Sequence, residues 1–140
     1  MLRRPTPQRL RRYWDTHADR YDKEMSFFDR RLFADSRQWG LQPRHRPVLE
    51  VAIGTGLNLP HYPKDIQLTG LEFSPVMTDH ARRRAADIGR DVEVVDGDAQ
   101  TVPFDDASFD TVVCTYGQCA IPDDRQAVAE MVRVLRPATE

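Results

Sequence analysis

Hydrophobic and polar positions along the chain follow two different periods. Leu10, Tyr13, Trp14, His17 and Tyr21 fall at i, i+3, i+4, i+7 and i+11, one face of an amphipathic helix. A second apolar cluster, Phe27, Phe28, Leu32 and Phe33, follows, and Gly40 and Pro43 then mark a loop. Together these predict a helical N-terminal cap over residues 1–46. Beyond it, short apolar runs take over at about 47–53, 67–73, 91–95 and 109–115. Apolar runs of this length, separated by helical segments, read as strands of a parallel sheet. Ser74 and Pro75 open one such helix, which continues through His80 to Ile88 and stops at Gly89. Asp123 or Asp124 caps a last helix whose buried stripe is Val128, Met131, Val132 and Leu135, and Pro137 blocks its continuation. The pattern predicts an α/β domain over residues 47–140, a parallel sheet with flanking helices.

Composition changes this picture little. At 140 residues the chain is one domain, long enough for a core, with a net charge of −2. The charge is uneven: residues up to Arg46 are basic on balance, and the remainder is acidic. The run Arg3, Arg4, Arg9, Arg11 and Arg12 could meet nucleic acid or an anionic lipid surface, but such a run is ordinarily a solvated helix face. No nucleic-acid partner is expected. No apolar h-region follows the arginines, and no apolar stretch reaches the roughly 18 residues of a membrane span, so a cytoplasmic protein is expected. Cys114 and Cys119 fit no close-spaced metal pattern, and the histidines do not cluster with them, so no metal site is expected.

The chemistry sits at the ends of the predicted strands. Strand one runs through Glu50 into Gly54-Thr55-Gly56 and a polar helix start at Asn58. A glycine turn admits a ligand close to the backbone, and free N–H groups at a helix start favour electronegative ligand atoms. A dinucleotide fingerprint needs a third glycine where this chain has Leu59, which disfavours NAD or FAD. Strand two ends in Glu72, placed to accept both hydroxyls of a ribose or merely to improve a helix dipole. Strand three leads into Asp96-Gly97-Asp98-Ala99, either an ordinary turn or a loop closing over a purine, with Asp98 accepting from an exocyclic amine and Ala99 offering its N–H. Three such features in order, at one end of successive parallel strands, mark a binding edge.

In order and spacing, residues 48–63, 71–75, 97–104, 108–115 and 127–137 resemble class I S-adenosylmethionine-dependent methyltransferases. The wording of residues 55–63 most resembles the type 11 branch related to quinone-pathway and phospholipid N-methyltransferases. The resemblance implies a Rossmann-like fold, S-adenosyl-L-methionine as cofactor, and methyl transfer to a small-molecule or lipid-like acceptor. It also implies site roles. Glu50, Gly54 and Gly56 would hold the methionyl part, Glu72 the ribose, Asp98 and Ala99 the adenine, and Thr115 the methyl-transfer end. Tyr13 and Tyr21 fall in the family's lid region, although a core role is the more ordinary one for both. No catalytic residue is identified; His17 and His61 are the only histidines considered as a base, and packing is the ordinary role of His61 and Tyr62.

Two departures stand out. Ala52 replaces a family glycine, and the pattern breaks off after Leu135-Arg136-Pro137. The chain would then supply the first four of seven strands, leaving strand four as an exposed edge through which copies could associate. Two rival readings remain: a truncated cofactor-binding module without turnover, and an NAD-dependent oxidoreductase.

Overall fold

A computed structural model describes residues 5–28, 47–115 and 121–137. Its helices are α1 (Pro7–Phe28), α2 (Pro75–Asp87) and α3 (Asp124–Val134), and its strands are β1 (Val48–Val51), β2 (Leu68–Glu72), β3 (Glu93–Asp96) and β4 (Thr111–Val113). The side chains of Phe27 and Phe28, the remainder of the second apolar cluster, the loop at Gly40 and Pro43, Arg3, Arg4 and Cys119 lie outside the described residues.

All pairings are parallel, in the order β3-β2-β1-β4. The chain leaves β1 for β2 and β3 on one side, then returns to add β4 on the other. The C-terminal end of β1 is therefore a topological switch point, the place where open α/β sheets bind ligands. β1 and β2 are buried at every position, as their apolar runs require, and successive side chains alternate between two cores. Val48, Ile53, Leu59, Leu68, Ala81 and Val94 form one, with α2; Leu49, Val51, Leu71, Val102, Phe109 and Val134 form the other, with α3.

Helix α2 begins and ends as its sequence dictates. Ser74 Oγ accepts from Met77 N at 3.3 Å, Pro75 stands in the first turn, and Gly89 takes a left-handed φ of 66° just past the end. Asp123 likewise caps α3, accepting from Gln126 N at 3.0 Å.

The buried stripe of α3 differs from the one the periodicity predicts. Ala127 and Val134 are buried and Met131 half-buried, whereas Val128, Val132 and Leu135 are 42%, 65% and 36% exposed. The reason is polar. Glu130 accepts from Val102 N at 2.8 Å, and Arg133 donates to the carbonyls of Val102 (2.9 Å) and Phe104 (2.8 Å) while pairing with Glu130 and Asp106. These anchors rotate the helix so that the side bearing Ala127, Glu130 and Val134 faces the sheet.

The edge at strand four is narrower than expected. Among the described residues β4 pairs with β1 alone, but just before it Phe109 bridges to Leu135, and Arg136 N donates to Phe109 O at 2.8 Å.

Candidate functional site

At the C-terminal end of the sheet lies an open cleft. Its floor is Ala52, Gly54, Leu71 and Glu72, and Gly97 to Gln100 form one wall. Leu10, Trp14 and Tyr21 of α1 close over it. A largely apolar recess with a few fixed polar groups is the usual form of a cofactor site.

The turn after β1 is built differently from the expected helix start. A single 3₁₀ turn, Leu59–His61, follows it. Pro60 stands in its first turn, where proline is tolerated, and Pro63 holds Tyr62 extended and cuts the helix short. Two of its N–H groups are engaged within the protein: Gly54 N donates to Glu72 Oε2 at 2.9 Å and Gly56 N to Ile53 O at 3.1 Å. Through Gly54 N the turn contributes shape and a positioned carboxylate. Leu59, standing where a dinucleotide fingerprint has glycine, is a core residue 1% exposed.

Ala52 sits at a φ of 57°, in the left-handed region. A Cβ costs roughly 1–2 kcal/mol there. Ala52→Gly should therefore raise unfolding stability by about 1 kcal/mol once the greater freedom of the unfolded chain is offset, measurable by urea titration.

Glu72 is the central polar group. It is 7% exposed, with Oε2 held by Gly54 N and Oε1 by Ser74 N at 3.2 Å. Burial pushes its pKa up, and the N–H groups of Ser74, Gly54 and Phe73 oppose that shift. A carboxylate offers about four lone-pair sites, so these N–H groups leave it acceptor capacity. Asp98 also lines the cleft, with Oδ1 accepting from Gln100 N at 2.8 Å, and Ala99 lies beside it.

Of the seven residues expected from sequence, Gly54, Glu72, Asp98 and Ala99 meet at the cleft, and Glu50, Gly56 and Thr115 are not among its walls. Glu50 is 1% exposed, with Oε1 accepting from Tyr62 OH at 2.6 Å and Asn58 Nδ2 at 2.9 Å. Asn58 Nδ2 also donates to Thr115 Oγ1 at 2.7 Å, so one amide ties β1 to the end of β4. Burial, and next the Glu50 carboxylate, drive the Tyr62 pKa far upward, which fixes the phenol as a hydrogen-bond donor. Tyr62 thus has a polar role beyond packing.

Tyr21 lines the cleft over Gly54, whereas Tyr13 is 50% exposed and stacks on His17 with ring centroids 4.0 Å apart. His17 Nδ1 donates to Tyr13 O at 2.7 Å, and His61 is exposed; neither lines the cleft. Among the described residues no group of three His, Cys, Asp or Glu side chains could hold a metal, and no helix is long and apolar enough to cross a membrane.

The contacts made by α1 are not legible in the sequence. Asp15 accepts from Ser74 Oγ at 2.5 Å, His80 Nε2 lies 3.1 Å from Asp19, and Asp22 binds Thr55 Oγ1 and Arg84 Nη2. Asp15, Asp19 and Asp22 stand at i, i+4 and i+7, a stripe visible in the sequence; its partners are not.

Sheet, switch point and acid-rimmed apolar cleft define a Rossmann-like protein built for a nucleoside-containing cofactor. The methyltransferase domain family matches residues 48–138, and the chain belongs to it. It is a class I S-adenosylmethionine-dependent methyltransferase by family, and S-adenosyl-L-methionine is the cofactor that family membership implies. A phosphatidylethanolamine N-methyltransferase of Cereibacter sphaeroides is 39% identical over 95 residues, covering 66% of this chain and 47% of that protein. A demethylmenaquinone methyltransferase of Deinococcus radiodurans is 40% identical over 95 residues, covering 66% and 39%. The crystal structure of a methyltransferase from Thermotoga maritima, described as a possible histamine N-methyltransferase, superposes with a TM-score of 0.67 at 28% identity, covering 88% of this chain and 56% of that one. The chain thus spans less than half the length of these two curated relatives.

The cleft fits this cofactor. A buried carboxylate with spare acceptor capacity suits a ribose diol, and the apolar walls beside Asp98 suit a purine.

Proposed function

We propose that the chain is the cofactor-binding part of an S-adenosylmethionine-dependent methyltransferase acting on a small-molecule or lipid-like acceptor. The observation that carries this reading is Glu72, fixed by Gly54 N and Ser74 N at the floor of an apolar cleft. In it, Glu72 accepts from the ribose hydroxyls, Asp98 and Ala99 flank the adenine, and Gly54 lies beneath the methionyl part. Glu50 and Thr115, joined through Asn58, and Gly56 set the shape of the turn from outside the cleft.

When bound, the cofactor supplies an activated sulfonium methyl group. The protein's task is then to orient the acceptor in line and keep water out, for which Trp14 and Tyr21 over the cleft are suited. The acceptor class rests on relatives that carry the names phosphatidylethanolamine and demethylmenaquinone methyltransferase. Residues 1–46 form the cap in this reading, the protein works in the cytoplasm, nucleic acid is no partner, and the free edge of β4 is where further strands or a second copy would add.

Calorimetry with S-adenosylmethionine and with NADH tests the cofactor; binding of NADH alone would overturn the reading. Incubation with methyl-labelled cofactor and a panel of lipid, quinone and amine acceptors tests turnover. Cofactor bound without methyl transferred to any acceptor would reduce the function to binding.

A further inference from the structure

The middle residue of the glycine turn, Thr55, is fully buried and gripped from two helices at once. Its hydroxyl donates to Asp22 of α1, and its carbonyl accepts from Arg84 Nε of α2 at 3.0 Å. Arg84 Nη2 and Asp22 Oδ2, 2.5 Å apart, close the ring. Two turns earlier along α1, Asp15 grips Ser74, whose own N–H holds Glu72. Arg11, one turn before that, lies over the Phe73 ring at 4.6 Å. One stripe of α1 is therefore fastened to both loops that shape the cleft, while its neighbouring stripe, Leu10, Trp14 and Tyr21, forms part of the cleft wall.

These fastenings are polar. Ala18 is the only fully buried apolar side chain among the described residues of α1. The Asp22 and Arg84 side chains are 32% and 30% exposed, open enough for salt to reach.

Resting on the cofactor reading above, we infer that Asp22, Thr55 and Arg84 form a clasp that positions the glycine turn, and that cofactor exchange requires the clasp to open. Asp22 and Arg84 act through Thr55; they are positioning residues. Undocking of α1 removes the Trp14 and Tyr21 wall and releases Thr55 in one movement, so clasp strength sets the release rate.

The test is the release of S-adenosylhomocysteine, chased with excess unlabelled ligand. Asp22→Asn, which removes the charge held by both Thr55 and Arg84, and Thr55→Val, which removes the hydroxyl, should each speed release about tenfold, as for loss of a hydrogen bond to a charged group, and together they should speed it by less than the product of the two because they share the Asp22–Thr55 contact. Raising salt from roughly 0.05 to 0.5 M should speed release in the wild-type chain and not in Asp22→Asn. Arg12→Ala, at an exposed position on the same helix, should leave the rate unchanged. An unchanged rate in Thr55→Val, or equal acceleration by Arg12→Ala, would overturn the clasp. Amide exchange in the ligand-free protein tests it independently of any ligand: α1 should exchange faster in Thr55→Val, and unaltered exchange refutes the proposal. Failure of the wild-type chain to bind S-adenosylhomocysteine would strike the cofactor reading alone.

Discussion

Glu72→Ala should weaken S-adenosylmethionine binding by on the order of 1.5–3 kcal/mol, roughly ten- to a hundredfold in Kd, because a charged acceptor is withdrawn from the ribose hydroxyls. Isothermal titration measures it, and unchanged affinity would refute the role. The carboxylate does two things at once. It faces the cleft, and it holds the N–H groups of Gly54 and Ser74, so the variant also leaves those two buried donors without their acceptor. Glu72→Gln separates the effects, since an amide oxygen still accepts one of them.

The pH dependence follows from burial, which raises the Glu72 pKa above its ordinary value of 4.5. A raised pKa means that the folded state binds the proton more tightly than the unfolded chain does. The contribution of Glu72 to the stability of the ligand-free protein is then greatest below the ordinary value and is lost as pH rises through the raised one. Cofactor affinity runs the opposite way, because the ionised form is the better acceptor. It should decline on acidification at a higher pH than an ordinary carboxylate would give. Both slopes should disappear in Glu72→Gln, which pH-dependent denaturation and titration can establish.

Gly56→Ala should destabilise the fold by about 2–4 kcal/mol, from backbone strain together with overpacking. Gly56 has a φ of 83°, and a Cβ there would lie 2.8 Å from Leu59 Cδ1 and 3.3 Å from Ala81 Cα. Leu59 is almost wholly buried and Ala81 is backbone of α2, so neither yields easily. Against a typical total of roughly 5–15 kcal/mol, that loss is large. Thermal or urea unfolding followed by circular dichroism reads it directly. A stability within about 0.5 kcal/mol of wild type would mean that the turn relaxes without cost.

Gly54 and Gly56 illustrate what a sequence conveys. Both have positive φ, as a Gly-x-Gly turn after an apolar strand implies. The residue between them gives no such signal. Thr55 is a common residue in a loop, and its partners are 33 residues before it and 29 after it, on helices whose mutual packing no local pattern encodes. Glu50 was legible as an acid in β1, but its direction was not. Whether a strand-end carboxylate turns to the cleft or to Asn58 and Tyr62 depends on where residues 58–62 come to rest, and Pro63 bears on that by ending the helix at Tyr62. In α3 the periodicity was strong enough to place a helix and too weak to set its rotation, because Val128 and Val132 offer as much apolar surface as Ala127 and Val134. The hydrogen bonds of Glu130 and Arg133 to residues 102–106 decided it.

The sequence by itself determined the parallel α/β class, the caps of α2 and α3, and the acids at the C-terminal ends of β2 and β3. These follow from local rules: buried strands are apolar throughout, helix ends need their N–H groups satisfied, and turns of positive φ favour glycine. The tertiary structure decided that Gly54, Glu72, Asp98 and Ala99 meet at one cleft while Glu50 and Thr115 join behind Asn58, and that α1 is fastened over the site by Asp15 and Asp22. Such contacts join residues far apart in the chain, and their free energy depends on burial and mutual orientation, which exist only once the elements have packed.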